Sequence, residues 1–190
     1  VPSVHVEEIT GDAAADVTFN VQIINFGDGK PSRFRKTGPG TLRLGNTGSS
    51  FTGNVVVAEG VLEVASGAAS NTVVSVLGNP KAARKVRVES GATLRFTGSN
   101  TIATGYDSPE PELELAGGTL ALASGSSSVF GPLTLEDATV TYNNGHSTAW
   151  GMMIFTKRVT FKGTQPCVFN PVGSNNNFAS GLNEETEMDV

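Results

Sequence analysis

Apolar and polar residues alternate along much of the chain in short runs of four or five, and the runs come in pairs. Four segments share one layout: apolar-x-apolar, a polar or glycine corner, then apolar-x-apolar again. They are Val55–Val64, Val86–Phe96, Leu113–Leu122 and Leu133–Tyr142. A single half, Gly40-Thr41-Leu42-Arg43-Leu44, precedes them, and Lys157-Arg158-Val159-Thr160-Phe161 starts another after them. A period of two makes each half a strand with one buried face. The corners are too short for a helix, and most lack the Asn-Gly or Gly-Gly pair of a tight hairpin.

The first strands recur at Val55, Val86, Leu113, Leu133 and Val159, about 20–30 residues apart with no helical period between them. This spacing predicts an all-β fold, a single-stranded parallel β-helix (β-solenoid) of about six or seven coils. Coils so stacked align Val57, Val88, Leu115 and Leu135 in one internal column, and Leu62, Leu94, Leu120 and Val140 in another. Each buried aliphatic contributes about 1.5–3 kcal/mol. Gly60, Gly91 and Gly118 fall at corners, where φ is positive or a side chain has no room. A β-sandwich is the alternative architecture.

The pattern divides the single domain into an N-terminal cap or edge strand (1–35), repeat coils (36–142) and a C-terminal coil, cap or docking segment (143–190). The first part holds the alternating Val17–Ile23 and a Phe26–Pro31 turn. The last is richer in aromatics and Asn, with Trp150, Phe155, Phe161, Phe169 and Phe178 beside Asn175–Asn177. Glu184–Val190 reads as an acidic tail that frays unless a partner ties it down.

Composition agrees with the pattern and excludes other classes. Gly accounts for 23 of 190 residues and charged residues for 16%, which is unlike a coiled coil. The net charge of −5 with scattered Lys and Arg argues against a nucleic-acid binder. No apolar run exceeds four residues, too few for a membrane-spanning helix. The lone Cys167, in Gln165-Pro166-Cys167-Val168-Phe169, cannot form an intramolecular disulfide and reads as a small buried hydrophobe.

Lys36-Thr37-Gly38-Pro39-Gly40-Thr41-Leu42-Arg43-Leu44, then Phe51-Thr52-Gly53-Asn54-Val55-Val56-Val57, then Gly60-Val61-Leu62-Glu63-Val64 resembles the autotransporter-associated β-strand repeat family. The family pattern runs Lys-x-Gly-x-Gly-Thr-Leu-x-Leu, a loop, aromatic-Thr-Gly-x-Thr-x-Val, and Gly-x-Leu-x-Val. This chain departs from it at Asn54-Val55, where the family has Thr, and later copies keep only the Gly-x-Leu half. The resemblance implies a right-handed β-helix in a secreted or cell-surface bacterial protein, in a passenger or stalk region with no catalytic residues of its own. Residues 145–190 lack the ten-residue amphipathic strands of an export barrel. The barrel is therefore expected to have been cut away, or export to follow another route.

Candidate chemistry is sparse. His5 and His146 are the only imidazoles, and with one Cys they offer no zinc spacing and no catalytic triad. Asp107, Glu110, Glu112 and Glu114 cluster around Pro109 and Pro111, with Glu112 and Glu114 on one outward face. Solvated surface carboxylates are the first reading, ahead of calcium binding and of glycoside chemistry. Lys81, Arg84, Lys85 and Arg87 form one basic patch and Arg33, Arg35 and Lys36 another, both read as solvated edge charges. A grip on an acidic polymer, or on the acidic tail of a neighbouring subunit, is the less favoured role for them. Trp150 is expected to pack as a cap against Met152 and Phe155 rather than to stack on sugar.

The resulting expectation is a non-catalytic scaffold: a passenger or stalk, an adhesin, or a subunit stacking end to end into a fibre. Catalytic residues: none; cofactor: none; metal: none. The partners expected are a further copy of the chain end to end, a surface glycan or a host receptor, and no nucleic acid. The competing expectation is a carbohydrate-active β-helix enzyme, a polysaccharide lyase or hydrolase.

Overall fold

The computed structural model describes residues 3–65, 73–98, 110–123, 128–143, 152–155, 157–172, 177–180 and 188–189. Among these there is no helix, and hence none long and apolar enough to cross a membrane. The strands are β1 (Ser3–His5), β2 (Val17–Phe19), β3 (Phe34–Thr37), β4 (Thr41–Leu44), β5 (Val55–Val57), β6 (Val61–Val64), β7 (Lys85–Glu89), β8 (Thr93–Phe96) and β9 (Glu112–Ala116). They continue with β10 (Thr119–Ala123), β11 (Ser128–Phe130), β12 (Leu133–Glu136), β13 (Thr139–Asn143), β14 (Met152–Phe155), β15 (Val159–Lys162), β16 (Val168–Val172), β17 (Asn177–Ser180) and β18 (Met188–Asp189).

The first strand of each coil joins one sheet, in the order β1-β3-β5-β7-β9-β12-β15-β18, and the second joins another, β2-β4-β6-β8-β10-β13-β16. Every strand pair is parallel and links one coil to the next, as in a β-solenoid. A sandwich, built from antiparallel neighbours, is excluded. Seven coils have both strands, and β18 opens an eighth in the first sheet.

Register follows the apolar pattern. Phe34, Val55, Val86, Leu113, Leu133 and Val159 stand one above another, so loops of unequal length return the chain to one column. The expected columns Val57-Val88-Leu115-Leu135 and Leu62-Leu94-Leu120-Val140 are both present, and all eight side chains are buried. A one-residue slip would turn such a column out to water, which is why the alternation sets the register. Gly60 and Gly91 have positive φ, whereas at Gly118 a Cβ would collide with Val88 and the Glu89 carbonyl.

A third face was not expected. In the early coils it is irregular, tied by backbone bonds from Ser50 to Ile23, Ser75 to Ser49 and Asn79 to Phe51, each 3.0 Å. From the fifth coil it becomes a parallel sheet, β11-β14-β17. Its interior carries Phe51, Val76, Leu77 and Phe130, with Phe130 stacked on Phe96 at 6.1 Å between ring centroids. Cys167 is half-buried against the core rather than fully enclosed.

Candidate functional site

Side chains that alternate outward from the first sheet meet their counterparts on neighbouring coils. Arg87 faces Glu114 across the β7–β9 pair at 2.5 Å, and Lys85 bridges Glu112 at 3.2 Å and Glu114 at 3.3 Å. Burial works against the Glu114 charge, but the hydrogen bonds and positive charge of Arg87 and Lys85 outweigh it and hold its carboxyl below the usual range. Glu112, hydrogen-bonded to Lys85, is the main cause of a raised Lys85 ammonium. The same face carries a Lys162–Glu136 pair between adjacent coils and an Arg35–Glu89 pair that reaches across β5, and Lys157 pairs with Glu110 just before the strands begin. On the second sheet Arg43, Glu63 and Arg95 stack in register, with the Glu63 carboxylate between the two guanidinium groups at 2.7 and 3.4 Å. In a parallel stack, equal charges in register would repel, so alternating them supports one register over its neighbours.

These pairs revise the reading of both charged clusters. Glu112 and Glu114 do share the outward face, but they are bound by Lys85 and Arg87 rather than merely solvated. Arg84 is not an edge charge. It is buried over the Phe51 ring, 5.0 Å from the centroid, and donates to the carbonyls of Gly53 and Leu77. Burial lowers its pKa to about 10. It holds the loop after β6 against the third face.

Lys36 is corrected in the same way. It is fully buried, and its Nζ donates to the Glu59 carbonyl at 3.0 Å and to that of Gly38. Burial lowers its pKa, and the charges of Glu59 and Asp16 partly oppose the shift. The Glu59 carboxylate turns back to accept the Gly38 N–H at 2.7 Å. The Lys-x-Gly-x-Gly run is therefore a corner joint, in which a buried cation satisfies carbonyls that the turn would otherwise strand.

One coil earlier, Asp16 accepts backbone N–H groups of Ile9, Thr10 and Thr41 at 2.7–2.8 Å. The Thr41 bond, followed by those of Thr10 and Ile9, lowers its pKa to about 2 from 3.8. A depressed carboxylate stabilises the fold above its unfolded pKa and loses that effect as pH falls. Protection of the Ile9, Thr10 and Thr41 amides, taken relative to their intrinsic exchange rates, is thus expected to fall as pH drops from near 3.8 toward about 2, and in Asp16→Asn to be lower already at neutral pH. Unchanged protection in Asp16→Asn would show that the carboxylate is not what holds the first coil.

The remaining candidates do not converge. His5 is exposed on β1, 2.8 Å from Glu7 and 3.2 Å from the Thr37 hydroxyl. Arg33 is exposed, and Lys81 lies exposed in the loop before β7. Among the described residues no three His, Cys, Asp or Glu side chains gather as metal ligands. His146, Asp107, Trp150 and Glu184–Glu187 lie outside the described residues, as do the side chains of Met152 and Phe155. Met188 and Asp189, from the expected fraying tail, pair with Val159 and Thr160 of β15.

Corner joint and columns meet within one stretch, from the buried Phe34 to the buried Val64. Neither the curated proteins nor the solved structures contain a match to the chain. The passenger-associated-transport-repeat family model matches residues 34–64, so this all-parallel β-solenoid carries a repeat of an autotransporter-passenger family.

Proposed function

We propose that the chain is a non-catalytic segment of passenger-type β-solenoid, secreted or displayed on a bacterial surface, whose role is that of a rigid scaffold. The supporting observation is that the charges on the sheet faces are engaged with one another from coil to coil over an uninterrupted parallel ladder. Such a surface braces the rod and has little free charge with which to grip an acidic polymer. A glycan or host receptor would be met on the loops instead. The passenger-repeat match over residues 34–64 supports the location.

A polysaccharide lyase or hydrolase would need carboxylates free to act across a cleft. Glu112 and Glu114 sit instead on a sheet face, each bound to a cation. Incubation with polygalacturonate, alginate and hyaluronan should release no new reducing ends or unsaturated products above a no-protein control. Chain cleavage that disappears in Glu114→Gln would overturn the scaffold reading.

A further inference from the structure

Among the described residues, three long cations reach past the neighbouring coil. Arg35 on β3 of the second coil pairs with Glu89 on β7 of the fourth at 3.2 Å, passing over β5. On the other sheet Arg95 on β8 extends the opposite way over β6 and donates to the Thr41 hydroxyl on β4 at 3.5 Å. It also donates to the Ala13 carbonyl, in the loop of the first coil, at 3.3 Å. The third coil is thus bridged on both outer faces. Two buried cations hold it as well: Lys36 of the second coil through the Glu59 carbonyl, and Arg84, just before β7, through that of Gly53. Further along, Lys157 before β15 meets Glu110 before β9 at 2.9 Å, with β12 between those strands in the sheet.

The ion pairs from the fourth coil to the fifth stop at the adjacent strand, where Arg87 and Lys85 on β7 reach Glu114 and Glu112 on β9. The third face changes at the same place, from irregular segments to the β11-β14-β17 sheet. A contact that skips a coil alters how a stack comes apart. With adjacent contacts alone, opening runs one coil at a time. With struts from the second coil to the fourth, freeing either outer coil breaks a ladder and the struts together. The third coil then has one ladder left to lose, so it follows. Coils tied in this way form one cooperative unit.

We propose that the rod opens in two blocks, coils two to four (β3–β8) and coils five to seven (β9–β16), with a built-in joint between β7/β8 and β9/β10. The first block is the firmer. Two arginine struts and two buried cations hold it, whereas the strut of the second is the exposed Lys157–Glu110 pair, a weak kind of contact. A rod divided in this way releases coils five to seven under load while coils two to four stay folded.

Native-state hydrogen exchange of the full chain over a rising urea series tests the proposal. The reporters are amides bonded from coil to coil: Ala58, Ala65, Thr93 and Thr97 in the first block, and Leu113, Leu133, Thr139 and Val168 in the second. Each set should merge onto its own single opening free energy and urea slope, with the second set lower. Values graded coil by coil, or one value shared by the whole rod, would overturn the proposal. Arg35→Met combined with Arg95→Met keeps the apolar stems but removes both struts. Relative to intrinsic rates, Thr93 and Thr97 should then exchange about tenfold faster than Ala58 and Ala65. Glu89→Gln, a change of charge but not of size on the outer face, should separate the same amides to a smaller degree. Arg43→Met breaks only an adjacent-coil pair, with Glu63, and should leave the four amides together. If they stay together without the struts, or separate as far in Arg43→Met, coil-skipping contacts do not set the unit and the proposal fails.

Discussion

Leu94→Ala is expected to destabilise the protein by about 2–5 kcal/mol. Leu94 is wholly buried in the middle of the second-sheet column, with Leu62 below and Leu120 above. Truncation removes contacts with both neighbours and leaves a cavity that backbones tied into parallel ladders on either side cannot close. Thr141, one coil beyond Leu120, points outward from the same sheet, in register with Ala121. Thr141→Ala should therefore change stability by no more than ~0.5 kcal/mol. Urea unfolding of the two variants checks the pair, and equal losses would mean that inward and outward positions had been wrongly assigned. Because the strands of each coil pair only with those of the adjacent coils, the loss should appear first as faster hydrogen exchange in the coils flanking Leu94.

Gly60→Val should be still more damaging, costing on the order of 3 kcal/mol or more. Gly60 has φ +61°, a conformation that β-branched residues strongly resist. A Cβ there would lie 2.5–2.6 Å from the carbonyl oxygens of Gly38, Pro39 and Gly40. Those atoms are backbone at the corner one coil below, and one of them, the Gly38 carbonyl, is held by Lys36, so they cannot swing aside as a side-chain tip would. The expected result is a protein that loses protection around residues 36–64 or fails to accumulate as a folded rod. Gly91→Ala is the informative contrast. Its φ is also positive, but nothing lies within 4 Å of the added atom, so only the backbone preference is lost, about 1–2 kcal/mol. Similar losses in Gly60→Val and Gly91→Ala would show that close approach between coils plays no part.

Much of this architecture was legible before any coordinates. Strand starts at Val55, Val86, Leu113, Leu133 and Val159 stack in one column, and the columns through Val57 and Leu62 hold the residues expected. An alternation of period two has one inward set, and chain connectivity leaves few ways to superpose five such sets. The glycine corners were legible for a related reason: a corner that turns inside a stack either takes positive φ or meets the backbone of the next coil. The third sheet was missed because its first coils are irregular and Ser128–Phe130 is too short to show a period.

The charged residues mark the limit of what a sequence settles. Alternation placed Glu112 and Glu114 outward, as found, yet could not say that Arg87 and Lys85 lie one coil away in the register that neutralises them. Lys36 and Arg84 looked like members of surface patches, because local context favours leaving a cation in water. Only the stacked corner and the packed loop supply the carbonyl oxygens and the Phe51 ring that make their burial tolerable. The sequence by itself determined strand periodicity, the inward residues and the parallel repeat, since these depend on neighbours along the chain. Tertiary structure alone decided which charges pair and which cations are enclosed. Those outcomes depend on contacts between residues about 20 or more positions apart, whose alignment is set by how much chain each loop takes up.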